Sequence, residues 1–184
     1  NNTATNDGGF GLSNSVRGVF GTTSTNLTIA YVTMATSAAA LDFGDLVVRH
    51  SSYPQAASHA TRGLITGGDD NSAIDYITIA NAGDATDFGN LTVYRQYLGS
   101  AAMASTSRAI FKGGIGASSA IIHVMDYVTV ANTGNATDFG DVSAAIDGRG
   151  GANVNRPLIH ISEPPGPYRT SKAAFGWKKK KKKP

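Results

Sequence analysis

The sequence predicts an all-β chain assembled from one repeated, four-stranded antiparallel unit. The first of three observations behind this is a motif that returns in fixed order. Tyr31-Val32-Thr33-Met34-Ala35 recurs as Tyr76-Ile77-Thr78-Ile79-Ala80 and as Tyr127-Val128-Thr129-Val130-Ala131. Twelve residues after each Tyr stands the Phe of Asp42-Phe43-Gly44, Asp87-Phe88-Gly89 or Asp138-Phe139-Gly140. The second is an upstream element: Arg17-Gly18-Val19-Phe20-Gly21, Arg62-Gly63-Leu64-Ile65 ending in Gly67-Gly68, and Arg108-Ala109-Ile110-Phe111 ending in Gly113-Gly114. The third is composition. Of 184 residues 22 are Gly, 16% are charged and 41% are hydrophobic, so a core is available but turns and short strands are favoured over long helices.

Each element of the unit has its own signal. The first expected strand is the apolar run near Val19-Phe20, Leu64-Ile65 or Ile110-Phe111, closed by Gly. The second is the Tyr-Val-Thr-Met-Ala type segment, β-branched and alternating, with apolar groups on both faces and therefore covered on both. The third passes through Asp-Phe-Gly and Leu46, Leu91 or Val142. The fourth is expected near Val47-Val48-Arg49 and Thr92-Val93-Tyr94-Arg95. Turns such as Asn81-Ala82-Gly83-Asp84 and Asn132-Thr133-Gly134-Asn135 separate them.

The spacing sets the period. Phe43 to Phe88 is 45 residues, Arg62 to Arg108 is 46, and Phe88 to Phe139 is 51, the excess lying around Ile115 to His123. Four strands in ~40–50 residues, repeated, is the arithmetic of a β-propeller blade, with the Gly-bracketed first strand suited to a crowded axis. The units run over about 15–60, 61–106 and 107–147 within an array spanning 1–147. Residues 148–177 are a degenerate fourth unit or a Pro/Gly-rich arm, and 178–184 a poly-Lys tail expected to be disordered by self-repulsion.

Gly67-Gly68, Tyr76, Gly83 and Phe88, and again Gly113-Gly114, Tyr127, Gly134 and Phe139, resemble the kelch repeat, with Phe where kelch has Trp. Segments such as Asp75-Tyr76-Ile77-Thr78-Ile79-Ala80 and Gly134-Asn135-Ala136-Thr137-Asp138-Phe139-Gly140-Asp141 are similar to tandem repeats of large virion structural proteins in marine tailed phages. That resemblance covers roughly residues 15–143. It implies a structural or host-contacting part of a phage tail or fibre, located on the virion or outside the cell.

Dividing 184 by the 46-residue period leaves four units, of which the last is degenerate. The chain closes a small ring, shares a ring or fibre with other copies, or is a piece of a longer protein. Unclosed sheet edges invite pairing, so a homo-oligomer, or association with other virion proteins, is the expectation.

Charge and chemistry narrow the function further. Lys178 to Lys183 supply six of the 16 basic residues; without them 10 basic face 13 acidic residues, a body at −3 that lacks the footprint of a specific nucleic-acid binder. No Cys is present, which excludes a disulfide scaffold, Cys-ligated zinc and a cysteine nucleophile. No apolar run reaches membrane-spanning length, so no membrane insertion is expected, and the first residues lack a signal-peptide pattern.

Asp-Phe-Gly is a kinase metal-binding tripeptide, but here it repeats without the partner motifs. Phe43, Phe88 and Phe139 are read as plugs between units. Asp42, Asp87 and Asp138 are read as binding turn amides or pairing with Arg17, Arg62 and Arg108. The arginines, one per unit, are read as inter-unit ion pairs rather than a catalytic ring. The four His, His50, His59, His123 and His160, show no metal-ligand spacing, and no metal or cofactor is expected. Gly67-Gly68-Asp69-Asp70-Asn71 reads as a turn rather than a Ca²⁺ loop. No asymmetric cluster of acid, base and nucleophile is found, so no catalytic residue is assigned and the protein is read as a non-enzyme. Tyr53, Tyr94 and Tyr97, beside Arg49 and Arg95, could stack on sugar rings of a host-surface glycan. They carry the alternative reading, a carbohydrate-binding propeller.

Overall fold

A computed structural model describes residues 8–22, 27–50, 53–68, 71–96, 102–116 and 119–143. The arm, the poly-Lys tail, Tyr97 and His160 lie outside them. The described residues form three four-stranded antiparallel sheets and no helix. The first sheet holds β1 (Gly9–Ser13), β2 (Arg17–Thr22), β3 (Thr28–Thr33) and β4 (Leu41–Asp45). The second holds β5 (Gln55–Ser58), β6 (Arg62–Thr66), β7 (Ala73–Thr78) and β8 (Thr86–Asn90). The third holds β9 (Ala102–Ala104), β10 (Arg108–Lys112), β11 (Val124–Thr129) and β12 (Thr137–Asp141). Each is a simple meander in chain order.

The strand expectations need one correction. Each sheet opens one strand earlier than the motifs suggest, with Gly-Phe-Gly-Leu-Ser, Gln-Ala-Ala-Ser or Ala-Met-Ala. These short strands, β5 and β9 made mostly of small residues and β1 alternating Gly with Phe10 and Leu12, touch one another between sheets, β1 against β5 and β5 against β9. Small side chains let backbones approach there, and low strand propensity hides such segments in a sequence. The Arg-bearing strand is therefore second, and Asp-Phe-Gly ends the sheet. β5 and β9 fall in sequence units 15–60 and 61–106 but pair within the following sheet.

The expected fourth strands do not form: residues 47–49 and 92–95 are loop. Their β-branched side chains favour a strand, but their amides are captured from outside the sheet. Asp75 Oδ2 accepts from Val47 N at 2.8 Å and Val48 N at 3.2 Å, and Asp126 Oδ2 accepts from Thr92 N at 3.2 Å.

The turn before each Arg strand is built alike. The residue three before the Arg donates its amide to the Arg carbonyl: Asn14 to Arg17 at 3.0 Å, His59 to Arg62 at 2.8 Å and Ser105 to Arg108 at 2.8 Å. In the third unit the extra residues make two isolated pairings, with Ile115 opposite both Gln96 and Ile121.

The core lies between the sheets. Phe10, Leu12, Val19, Ile29, Phe43 and Leu46 pack on Ile65, Ile77 and Ile79 of the second sheet. Leu64, Ile74, Phe88 and Leu91 pack on Phe111, Val128 and Val130 of the third. Alternation along a strand sends successive side chains to opposite faces, so β6 delivers Ile65 to one core and Leu64 to the other.

Candidate functional site

In the first two sheets the repeated polar and aromatic residues converge on the joint with the next sheet. Arg17, Arg62 and Arg108 stand over the rings of Tyr31, Tyr76 and Tyr127 at 4.6, 4.7 and 4.5 Å. Each of those rings meets Phe43, Phe88 or Phe139 edge-on, with centroids 5.9, 5.9 and 6.0 Å apart. One Arg–Tyr–Phe stack thus crosses the second, third and fourth strands of every sheet. The expected Arg–Asp pairing is not made: among the described residues no ion pair joins these arginines to Asp42, Asp87 or Asp138. Arg17 Nη1 instead donates to the Ile79 carbonyl at 3.2 Å, and Arg62 Nη1 to the Val130 carbonyl at 2.7 Å, both on the next sheet. A ring face satisfies a guanidinium without a counter-charge.

Asp-Phe-Gly builds a β-bulge. Ile29 is opposite Gly44 and Ala30 is opposite Asp42, so Phe43 is the extra residue; Phe88 and Phe139 hold the same place. The extra residue bends the strand and re-aims its side chain. Asp87 and Asp138 bind amides of the bulge itself rather than of a turn, their Oδ1 accepting from Gly89 N at 3.2 Å and Gly140 N at 2.9 Å within β8 and β12. Gly44, Gly89 and Gly140 have φ of 141°, 144° and 121°, where a side chain is strained. A Cβ on Gly44 would also lie 2.5 Å from the Gly83 carbonyl, and one on Gly89 would lie 2.4 Å from that of Gly134.

That close approach is a clasp. Phe43 O accepts from Gly83 N at 2.6 Å and Asp45 O accepts from Ala85 N at 2.8 Å, while Asp45 N donates to Asp84 Oδ1 at 3.0 Å. The next joint repeats all three bonds, with Phe88 O to Gly134 N at 2.7 Å, Asn90 O to Ala136 N at 2.7 Å, and Asn90 N to Asn135 Oδ1 at 3.0 Å.

A second crossing lies deeper. His50 and Arg95 each stand seven residues after the bulge Phe, and Asp75 and Asp126 each stand one before the motif Tyr. His50 Nδ1 donates to the Gly67 carbonyl at 2.9 Å, which leaves Nε2 3.4 Å from Asp75 Oδ2. Arg95 Nη1 donates to the carbonyls of Gly113 at 3.3 Å and Val124 at 3.1 Å, and its Nη2 pairs with Asp126 Oδ2. Burial lowers the Arg95 pKa, and the Asp126 charge opposes that shift. All four side chains are buried. Sequence reasoning foresaw an inter-unit ion pair but assigned it to the wrong residues. The available signal was an acidic residue inside an apolar strand in two of three copies.

The residues proposed for sugar stacking do not share one surface. Arg95 is buried in the joint just described, whereas Tyr53 is exposed and holds φ at 62°. Arg49 is exposed and Tyr94 half-buried. A separate cleft of about 250 Å³ opens elsewhere, lined by Tyr127, Thr129, Asn132, Thr133, Asn135 and Thr137. It pairs an aromatic ring with hydroxyl and amide groups. Among the described residues no three His, Asp or Glu side chains converge as metal ligands.

No protein-family model matches the chain, and no curated protein matches it significantly.

Proposed function

We propose that this is a non-enzymatic structural repeat protein, a virion component of the tail or fibre type that associates with copies of itself and contacts a host surface. The carrying observation is where the chemically capable residues go. Arg17 and Arg62, the bulge residues Phe43 and Phe88, and the His50–Asp75 and Arg95–Asp126 pairs all go to joints cut to one pattern. An enzyme concentrates such groups in one asymmetric cluster; here they are distributed by the repeat. The three sheets act as propeller blades, joined through β1, β5 and β9. The phage-repeat resemblance of residues 15–143 supplies the virion setting.

The test is particle mass by light scattering over a hundredfold concentration range, with negative-stain images of the same samples. Assemblies of several copies are expected. A strictly monomeric particle throughout would remove the assembly part of this reading.

A second reading, carbohydrate binding, is favoured by the Tyr127 cleft with its hydroxyl and amide lining. A glycan array probed with multivalent protein should give hits that Tyr127→Ala abolishes; an empty array removes this reading.

A further inference from the structure

We infer that the outer face of the third sheet and the back face of the first are two halves of one interface, and that a second copy of this chain supplies the missing half at each end. This deepens the self-association reading above and rests on it.

The third sheet's outer face repeats the apolar positions that are buried at the two internal joints. Ile110, Met125, Phe139 and Val142 stand where the first sheet has Val19, Ile29, Phe43 and Leu46 and the second has Leu64, Ile74, Phe88 and Leu91. Phe43 and Phe88 are each 2% exposed; Phe139 is 46% exposed. Arg108 stacks on Tyr127 like its counterparts, but among the described residues its guanidinium meets no carbonyl of a following sheet. Phe139 O and Asp141 O, the clasp acceptors, are likewise unmet among the described residues.

The back face of the first sheet is the candidate counterpart. Met34 occupies the place of Ile79 and Val130, the residues that share a buried cluster with Phe43 and Phe88 and whose carbonyls receive Arg17 and Arg62. Met34 is 62% exposed and Phe20, on the same face, 41%. Ala38 and Ala40 hold the clasp-donor positions of Gly83 and Ala85. An end meant for solvent would carry polar residues; large exposed apolar faces mark interfaces.

What selects a second copy over a further unit of the standard pattern is a paired change. The Asp before the motif Tyr is Ala30 in the first unit alone, and the position seven after the bulge Phe, which is His50 or Arg95 in the first two units, is Ile146 in the third, outside the described residues. In the sequence, the carboxylate is absent from the first unit and its basic partner from the third. A standard unit would bring an Asp to a unit whose sequence has no basic residue at the matching position, and an unpaired buried carboxylate is costly. A second copy brings Ala30.

Joining different faces head to tail is a heterologous interface, which forms a ring when the rotation closes. The described residues of each chain supply three sheets. Counting the described sheets, two chains supply six, inside the range of about four to eight blades that closed propellers use, whereas one chain or three fall outside it.

The experiment uses the full chain and two charge variants, Met34→Lys on the back face and Phe139→Glu on the outer face, with native mass as readout and circular dichroism to confirm that both fold. The expected wild type is a two-chain particle, and each variant alone is a monomer. An equimolar mixture of the two variants regains the two-chain particle, because one of its joints is wild type on both sides and the other pairs Lys with Glu. A monomeric wild type overturns the self-association reading itself. A two-chain particle indifferent to both variants leaves that reading standing and overturns this interface. Loss with only one variant means like faces meet, which overturns the head-to-tail arrangement, and an open series of ever larger particles overturns the ring.

Discussion

Arg95 of the second sheet closes on Asp126 of the third, and neither side chain meets solvent. The pair sits at the same joint position as His50 and Asp75 one unit earlier. Arg95→Met should cost about 3–5 kcal/mol, the scale for breaking one side of a buried pair. Adding Asp126→Leu removes the stranded carboxylate, but it also orphans the Thr92 amide and hydroxyl that Asp126 accepts from. Urea denaturation of both single variants and the double should therefore show a combined loss smaller than the sum. Simple additivity would mean the two residues are not coupled.

The bulge glycines should differ by position. A Cβ on Gly89 meets the Gly134 carbonyl, while one on Gly140 meets nothing within 4 Å. Gly140→Ala should cost only its backbone strain, about 1–3 kcal/mol. Gly89→Ala adds a clash with backbone that must part the sheets, and should be clearly worse. Thermal unfolding of both on a Met34→Lys background, where assembly does not enter, gives the comparison. Equal losses would show that the close approach has no energetic weight.

Asp84 and Asn135 perform the same service, each accepting the amide of the preceding sheet's last strand residue at 3.0 Å. The service needs an oxygen, not a charge. Asp84→Asn should change stability by no more than a few tenths of a kcal/mol, and Asp84→Ala by about 0.5–1.5 kcal/mol. A large loss for the Asn variant, read in denaturant titrations, would point to the charge instead.

The Arg–Tyr–Phe stack should tolerate loss of the hydroxyl better than loss of the ring. Tyr76→Phe keeps both ring contacts; Tyr76→Leu forfeits the Arg62 and Phe88 contacts. The Leu variant should be less stable than the Phe variant by about 1–2 kcal/mol. Calorimetry of the pair decides it, and equal stability would reduce the stack to incidental geometry.

Much of the candidate site was visible as residues before it was visible as contacts. Tyr31, Tyr76 and Tyr127 and their matching Arg and Phe stand out because the repeat prints them three times, and the structure uses each triplet in one stack. The role of the Phe was nearly legible, since a bulky residue flanked by Asp and Gly suits an irregular strand end. The partner of the Arg was not, because a cation is equally well served by a carboxylate, a ring face or a carbonyl. Nothing in residue spacing ranks these. In sequence, Arg95 reads as the end of a fourth strand and a sugar-contact residue; only the approach of β11 buries it. The opening strands β5 and β9 were missed because small residues carry little pattern, and β1 because its Phe10 and Leu12 precede the first copy of the repeated motif.

By itself, the sequence determined the all-β class, the three-fold repetition and the residues on which each unit depends. These follow from local rules, since alternation, turn chemistry and recurrence are written along the chain. Which sheet owns each strand, where Arg17 and Arg62 send their protons, and the pairing of His50 with Asp75 and Arg95 with Asp126 were decided only by the tertiary structure. Those contacts join residues tens of positions apart, and their partners are chosen by how closely two sheets can approach, a property of packing that no single segment contains.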